Sequence, residues 1–158
     1  MFKLGFLALC AAALGINNGG SAVKSPAWLS IESPVNPYDR TTRGDVLLVH
    51  AILREGDAKV GDLTGTAEGL VNGARRSVAL RFDATSRPNV FGLTRQWPTE
   101  GSWVVRIALR ETTVIVTFDR AGAVASALVP TTTSSGIPLP RAVPASEIDS
   151  ALTAAARR

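Results

Sequence analysis

The side chain best suited to moving a proton near neutral pH is His50, the single histidine among 158 residues. There is also one Cys and one Met, the Met being the initiator, so a site needing several imidazole or sulfur ligands cannot be assembled within one copy. His50 lies in Val46-Leu47-Leu48-Val49-His50-Ala51-Ile52-Leu53, where both faces of a strand would be apolar. A general base there needs a nucleophile or an orienting carboxylate nearby in space. The residues favour a half-buried histidine whose ring nitrogens are met by backbone or solvent, with a metal-ligand role as the weaker candidate. Asp39, Asp45, Glu55, Asp57 and Asp62 gather around connections, where hard cations find oxygen ligands. No repeated Asp spacing or EF-hand-like loop accompanies them, so turn chemistry is the expectation. A hydrolase would have to use His50 as its histidine base, and no nucleophile-elbow motif is present. The chain therefore reads as non-enzymatic, with no catalytic residues and no cofactor.

What must position these residues is one domain's worth of chain. Seventeen Lys and Arg stand against 13 acids, a formal charge of +4, and 46% of residues are hydrophobic, which excludes disorder of the whole chain. The arginines are scattered among acids, without a lysine-rich arm or an aromatic stacking motif, so nucleic acid is not an expected partner. A weak attraction to anionic lipid or glycan suits the basic excess better.

Residues 1–22 read as a secretory signal: Lys3 gives the positive start, Leu4 to Leu14 the apolar run, and Gly20-Ser21-Ala22 a small-residue cleavage site. The run is about half the roughly 20 residues of a spanning helix, so the processed protein is not expected to be integral to a membrane. Lipidation at Cys10 is not expected, because the residue before it is the large Leu9. Cleavage after Ala22 removes the thiol, and the exported domain, periplasmic or secreted, must be held by packing without disulfides.

From Trp28 to Leu128 apolar residues alternate over short runs separated by turn residues, the pattern of half-buried strands. The runs are Trp28 to Glu32, Asp45 to Arg54, Asp62 to Val71, Arg75 to Phe82, Val90 to Gln96, Trp103 to Arg110, Thr112 to Phe118 and Ala123 to Val129. In the fourth, Val78, Leu80 and Phe82 share the core face and Ser77, Ala79 and Arg81 the other. In the sixth, Trp103, Val105, Ile107 and Leu109 point in, with Arg106 and Arg110 outward. Asn72-Gly73 predicts a tight hairpin from Leu70 to Arg76. Pro98 to Gly101 predicts a second turn leading into Trp103. Glu68 should face solvent and pair across the hairpin with Arg75, Arg76 or Arg81. Trp28, Trp97, Trp103, Phe82, Phe91 and Phe118 are assigned to the core, with Trp97 partly exposed.

Residues 23–129 are thus expected to form an all-β, immunoglobulin-like antiparallel β-sandwich of seven or eight strands. The polar stretch from Pro34 to Gly44 joins its first two strands. Residues 130–145, rich in Pro, Thr and Ser, read as an extended linker. Residues 146–158 read as a short helix or a fraying tail, with Ser146-Glu147-Ile148-Asp149 as helix start and Ile148 and Leu152 one turn apart.

Four stretches carry a resemblance: Gly65-Thr66-Ala67-Glu68-Gly69-Leu70-Val71-Asn72-Gly73, Arg75-Arg76-Ser77-Val78, Arg87-Pro88-Asn89-Val90-Phe91, and Gln96-Trp97-Pro98-Thr99-Glu100-Gly101-Ser102-Trp103. They resemble the closing half of YtkA-like domains, exported immunoglobulin-like sandwiches related in shape to FixH and copper-resistance periplasmic proteins, over roughly Trp28 to Leu109. The resemblance implies the sandwich and the exported location. Copper-handling relatives of this shape use His and Met clusters, whereas the mature chain offers only His50 and no Met. The function expected is a non-catalytic module of the bacterial cell envelope, binding a protein or envelope component through a sheet face, edge strand or loop. The alternative is a metal or small-ligand carrier.

Overall fold

A computed structural model describes residues 26–53 and 60–157. The signal-like segment with Cys10, and Arg54, Glu55 and Asp57, lie outside the described residues.

Two antiparallel sheets pack face to face. One holds β1 (Trp28–Glu32), β2 (Asp45–Ile52), β5 (Asp83–Ala84) and β6 (Val90–Thr94) in the order β1-β2-β6-β5. The other holds β3 (Leu63–Val71), β4 (Ala74–Ala79), β7 (Ser102–Leu109), β8 (Thr112–Phe118) and β9 (Val124–Leu128) in the order β4-β3-β7-β8-β9. The all-β sandwich is as the alternation predicts. Alternate residues of facing strands meet between the sheets: Leu29, Leu47, Val49, Ala51 and Leu93 from the first, and Ala67, Trp103, Val105, Ile107, Leu109, Val114 and Val116 from the second. The buried Thr112 hydroxyl ties the sheets by donating to the Ala27 carbonyl.

The turns follow their residues. Asn72 and Gly73 have φ of 51° and 76°, and Val71 pairs with Ala74, so the hairpin closes in two residues. Gly101, φ 86°, lets the 98–101 turn close against β3; a Cβ there would stand 2.8 Å from Val71 Cγ2. The same turn supplies the Glu100 carbonyl that accepts from Trp103 Nε1 at 2.7 Å.

The run expected to be one strand from Arg75 to Phe82 is divided. β4 ends at Ala79, Leu80 N–H still donates to the Gly65 carbonyl at 2.9 Å, and the chain then crosses to the other sheet as β5. The Gln96 side chain serves the backbone left bare at the crossing: its Oε1 accepts from Arg81 N at 3.0 Å and its Nε2 donates to the Arg81 carbonyl at 2.7 Å. Alternation continues through a sheet switch, so hydropathy alone does not mark it. Arg110 likewise leaves its strand for the β7–β8 turn, at φ 54°.

The expected linker also behaves differently. Thr131–Ser134 (β10) and Ile137–Pro140 (β11) pair as a hairpin whose turn is Ser135-Gly136, both at positive φ. The helix α1 (Ala145–Ala156) then docks on the outer face of the five-stranded sheet, burying Ile148 and Leu152 against Val104, Ile115 and Val143. Ser146 lies within this helix, and Pro144 stands at the N-cap without a side-chain bond. Arg75 pairs with Asp149, and Arg141 with Glu147 at 2.9 Å. Among the described residues no helix is long and apolar enough to cross a membrane.

Candidate functional site

Strand parity decides where His50 points. Leu47, Val49 and Ala51 take the core side of β2, which sends His50 to the outer face of the four-stranded sheet, opposite Ser30 on β1 and Val90 on β6. There its Nε2 lies 2.8 Å from Glu32 Oε2. Arg87 reaches the same oxygen at 3.2 Å from the turn between β5 and β6. That turn is fixed by Thr85, whose hydroxyl donates to the Val90 carbonyl at 2.9 Å and accepts from Arg87 N at 3.1 Å.

Partial burial pushes the Glu32 carboxyl up, but the hydrogen bonds from His50 and Arg87, with their charges, more than offset it and the carboxyl ends below its ordinary range. A depressed folded value contributes stability that is fully present above the ordinary carboxylate range and lost as pH falls through the lowered folded value. Glu32→Gln should therefore lower stability at neutral pH by about 1 kcal/mol at most, a difference that vanishes in acid. Chemical denaturation at pH 7 and pH 3 checks this, and an equal loss at both would show that the carboxylate charge is irrelevant. What the trio does is tie the end of β1 to β2 and to the β5–β6 turn; the cation already seated on Glu32 is a guanidinium.

The other carboxylates do not converge. Asp39 caps the short 3-10 turn Arg40–Thr42, accepting from Thr41 N at 2.9 Å and the Thr41 hydroxyl at 2.6 Å, and these bonds hold its carboxyl low. Asp45 is pushed up by burial and then by the charge of Asp83; its carboxyl lies over Gly92, where a Cβ would be 2.9 Å from Oδ1. Asp62 precedes β3 on the exposed side. Among the described residues no three or more His, Cys, Asp or Glu side chains come together as a cation site.

Two aromatic assignments change. Trp97 is buried, not partly exposed: its ring meets Phe118 at 5.1 Å between centroids, and the Arg95 guanidinium covers it at 5.7 Å. Trp28 is 36% exposed, because Leu29 and Ile31 take the core side of β1 and leave the indole outside with Ile52, its cross-strand partner. Trp103 is core as expected. Glu68 does pair with Arg75, at 3.4 Å, and accepts from the Ser77 hydroxyl at 2.8 Å, but its side chain is only 15% exposed.

The feature that the sequence reading did not single out is β9, Val-Ala-Ser-Ala-Leu, the last strand of its sheet. Each other edge of the two packed sheets carries charge: Arg75 and Arg76 on β4, Glu32 on β1, Asp83 on the two-residue β5. β9 carries no charge, no proline and no glycine, and among the described residues its only ladder partner is β8. Beside it runs a groove of about 290 Å³, floored by Ile115, Thr117 and Ser126 and walled by Glu147, Ser150, Ala151 and Ala154 of the helix. Leu128, 59% exposed, stands at its rim.

No family model, curated protein or solved structure matches this chain. Its own surfaces therefore carry the functional reading. Of these, the bare strand beside an apolar groove has an unmet bonding capacity, because alternate N–H and C=O groups of an antiparallel strand point away from its neighbour.

Proposed function

We propose that this chain is a non-catalytic binding module of the bacterial cell envelope, exported by its first 22 residues, that engages an extended segment of a protein partner along β9. The observation that carries the reading is the uncharged outer edge of β9, which has no ladder partner among the described residues, beside the groove against α1. A partner strand added there gains main-chain hydrogen bonds, and the groove receives its alternate side chains, the two components of recognition by strand addition. The resemblance of its motifs to YtkA-like domains supports an exported sandwich; those motifs fall on the hairpin and turn residues Asn72, Gly73, Pro98 and Gly101 and on the core Trp103, which are structural.

Site-specific photocrosslinking in intact cells tests this. A crosslinker at Leu128 should capture a defined protein segment, while one at Arg76 on the opposite edge should not. N-terminal sequencing of the recovered protein should begin at Val23. Equal labelling from both edges, or none from Leu128, would remove β9 as the recognition element.

A further inference from the structure

Resting on that reading, and naming the occupant, we propose that β9 pairs with β9 of a second copy of this chain, antiparallel about a twofold axis, making one continuous ten-stranded sheet across two molecules.

Three observations select a second copy over a foreign strand. First, β9 is neutral from end to end, so a neutral strand meets it without desolvating a charge, and β9 is itself such a strand. Second, the surface holds both halves of a fit: Leu128 projects from the outer face, and on that same face lies the groove, where the small side chains Ser126, Ala151 and Ala154 leave room and the lining carboxylate, Glu147, is already paired with Arg141. An isologous interface requires this kind of self-complementarity within one patch, so that each chain's leucine enters the groove of the other. Third, the opposite edge of the same sheet, β4, opposes a head-to-tail alternative. Pairing β9 with β4 of another copy would set Arg75 and Arg76 beside an apolar edge and propagate without closing, whereas β9 on β9 closes at two.

Five residues a side make a small interface, below about 1,200 Å² in total, so the dimer should be concentration-dependent with a dissociation constant on the order of 100 μM. Sedimentation of the purified chain, in the processed form its host produces, from about 10 μM to about 1 mM should show monomer giving way to dimer. Amide exchange at residues 124–128 should slow over the same range. Because the axis presents each substitution twice, Ala125→Lys and Leu128→Lys should each weaken the dimer by about tenfold or more, while Arg76→Ala on β4 leaves it unchanged. The exchange measurement needs no variant and stands even if a substitution disturbs folding.

A monomer throughout the range, a dimer whose β9 amides gain no protection, or a dimer indifferent to both lysines would overturn self-pairing. Failure of this proposal is distinguishable from failure of the broader one: a monomer whose Leu128 still crosslinks to a foreign segment sinks only the second copy as occupant, and a monomer with no such crosslink sinks both.

Discussion

Replacing Trp103 with alanine should remove about 3–5 kcal/mol of folding stability, the largest single-residue effect expected in this chain. The indole is 3% exposed, packs within the cluster between the two sheets, and donates from Nε1 to the Glu100 carbonyl at 2.7 Å. Its face lies on Gly69 of the neighbouring strand, where a Cβ would sit 2.5 to 2.6 Å from ring atoms Cζ3 and Cδ2. Alanine would therefore leave a cavity against a glycine that has nothing to fill it with. Domains of this size are stable by only about 5–15 kcal/mol, so the variant would retain a small margin. Urea unfolding should show a lower midpoint at unchanged slope. Trp103→Phe keeps most of the apolar volume and loses chiefly the hydrogen bond, about 1 kcal/mol, while Gly69→Ala should destabilise by forcing the indole away. Comparable losses for Trp103→Phe and Trp103→Ala would mean that the Glu100 bond, and not filled volume, holds this corner together.

The second large effect concerns the helix. Leu152→Ala should lower stability by about 2–5 kcal/mol, because Leu152 is buried against the outer face of the five-stranded sheet. Truncation after Pro144 should do more, since it exposes Val104 and Ile115 at once and leaves an apolar sheet face in water. Ion pairs contribute little by comparison: Asp149 and Arg75 are each about half exposed, and Asp149→Ala should cost about 1 kcal/mol or less. Thermal unfolding with an apolar-surface dye separates these outcomes. A truncated chain that unfolds like the whole one without binding dye would show that the helix is dispensable to the sandwich.

Much of the sandwich was legible because its signals are local. A period of two assigns each residue of a strand to one of two faces, so the core set Trp103, Val105, Ile107 and Leu109 follows from spacing alone. Turn dipeptides such as Asn72-Gly73 are legible for the same reason, since positive φ is a property of the residues themselves. The division of the run at Leu80 was not legible, because a strand that changes sheets keeps its alternation. Trp28 and Trp97 were misplaced because aromatic character says that a ring prefers burial and says nothing about whether its strand face or turn provides it. The Ser135-Gly136 hairpin was hidden by the prolines of β11, which remove N–H donors yet still fit a two-stranded arm.

The same boundary runs through the functional residues. The sequence alone determined that the domain would be built of alternating strands closed by specific turns. That Glu32 and Arg87 would meet at His50, that a helix would cover Val104 and Ile115, and that β9 would stand last in its sheet were decided only by tertiary structure. The reason is physical: face parity and turn geometry are set within a few residues of chain, whereas an edge or a covered face exists only once strands distant in sequence have chosen their neighbours.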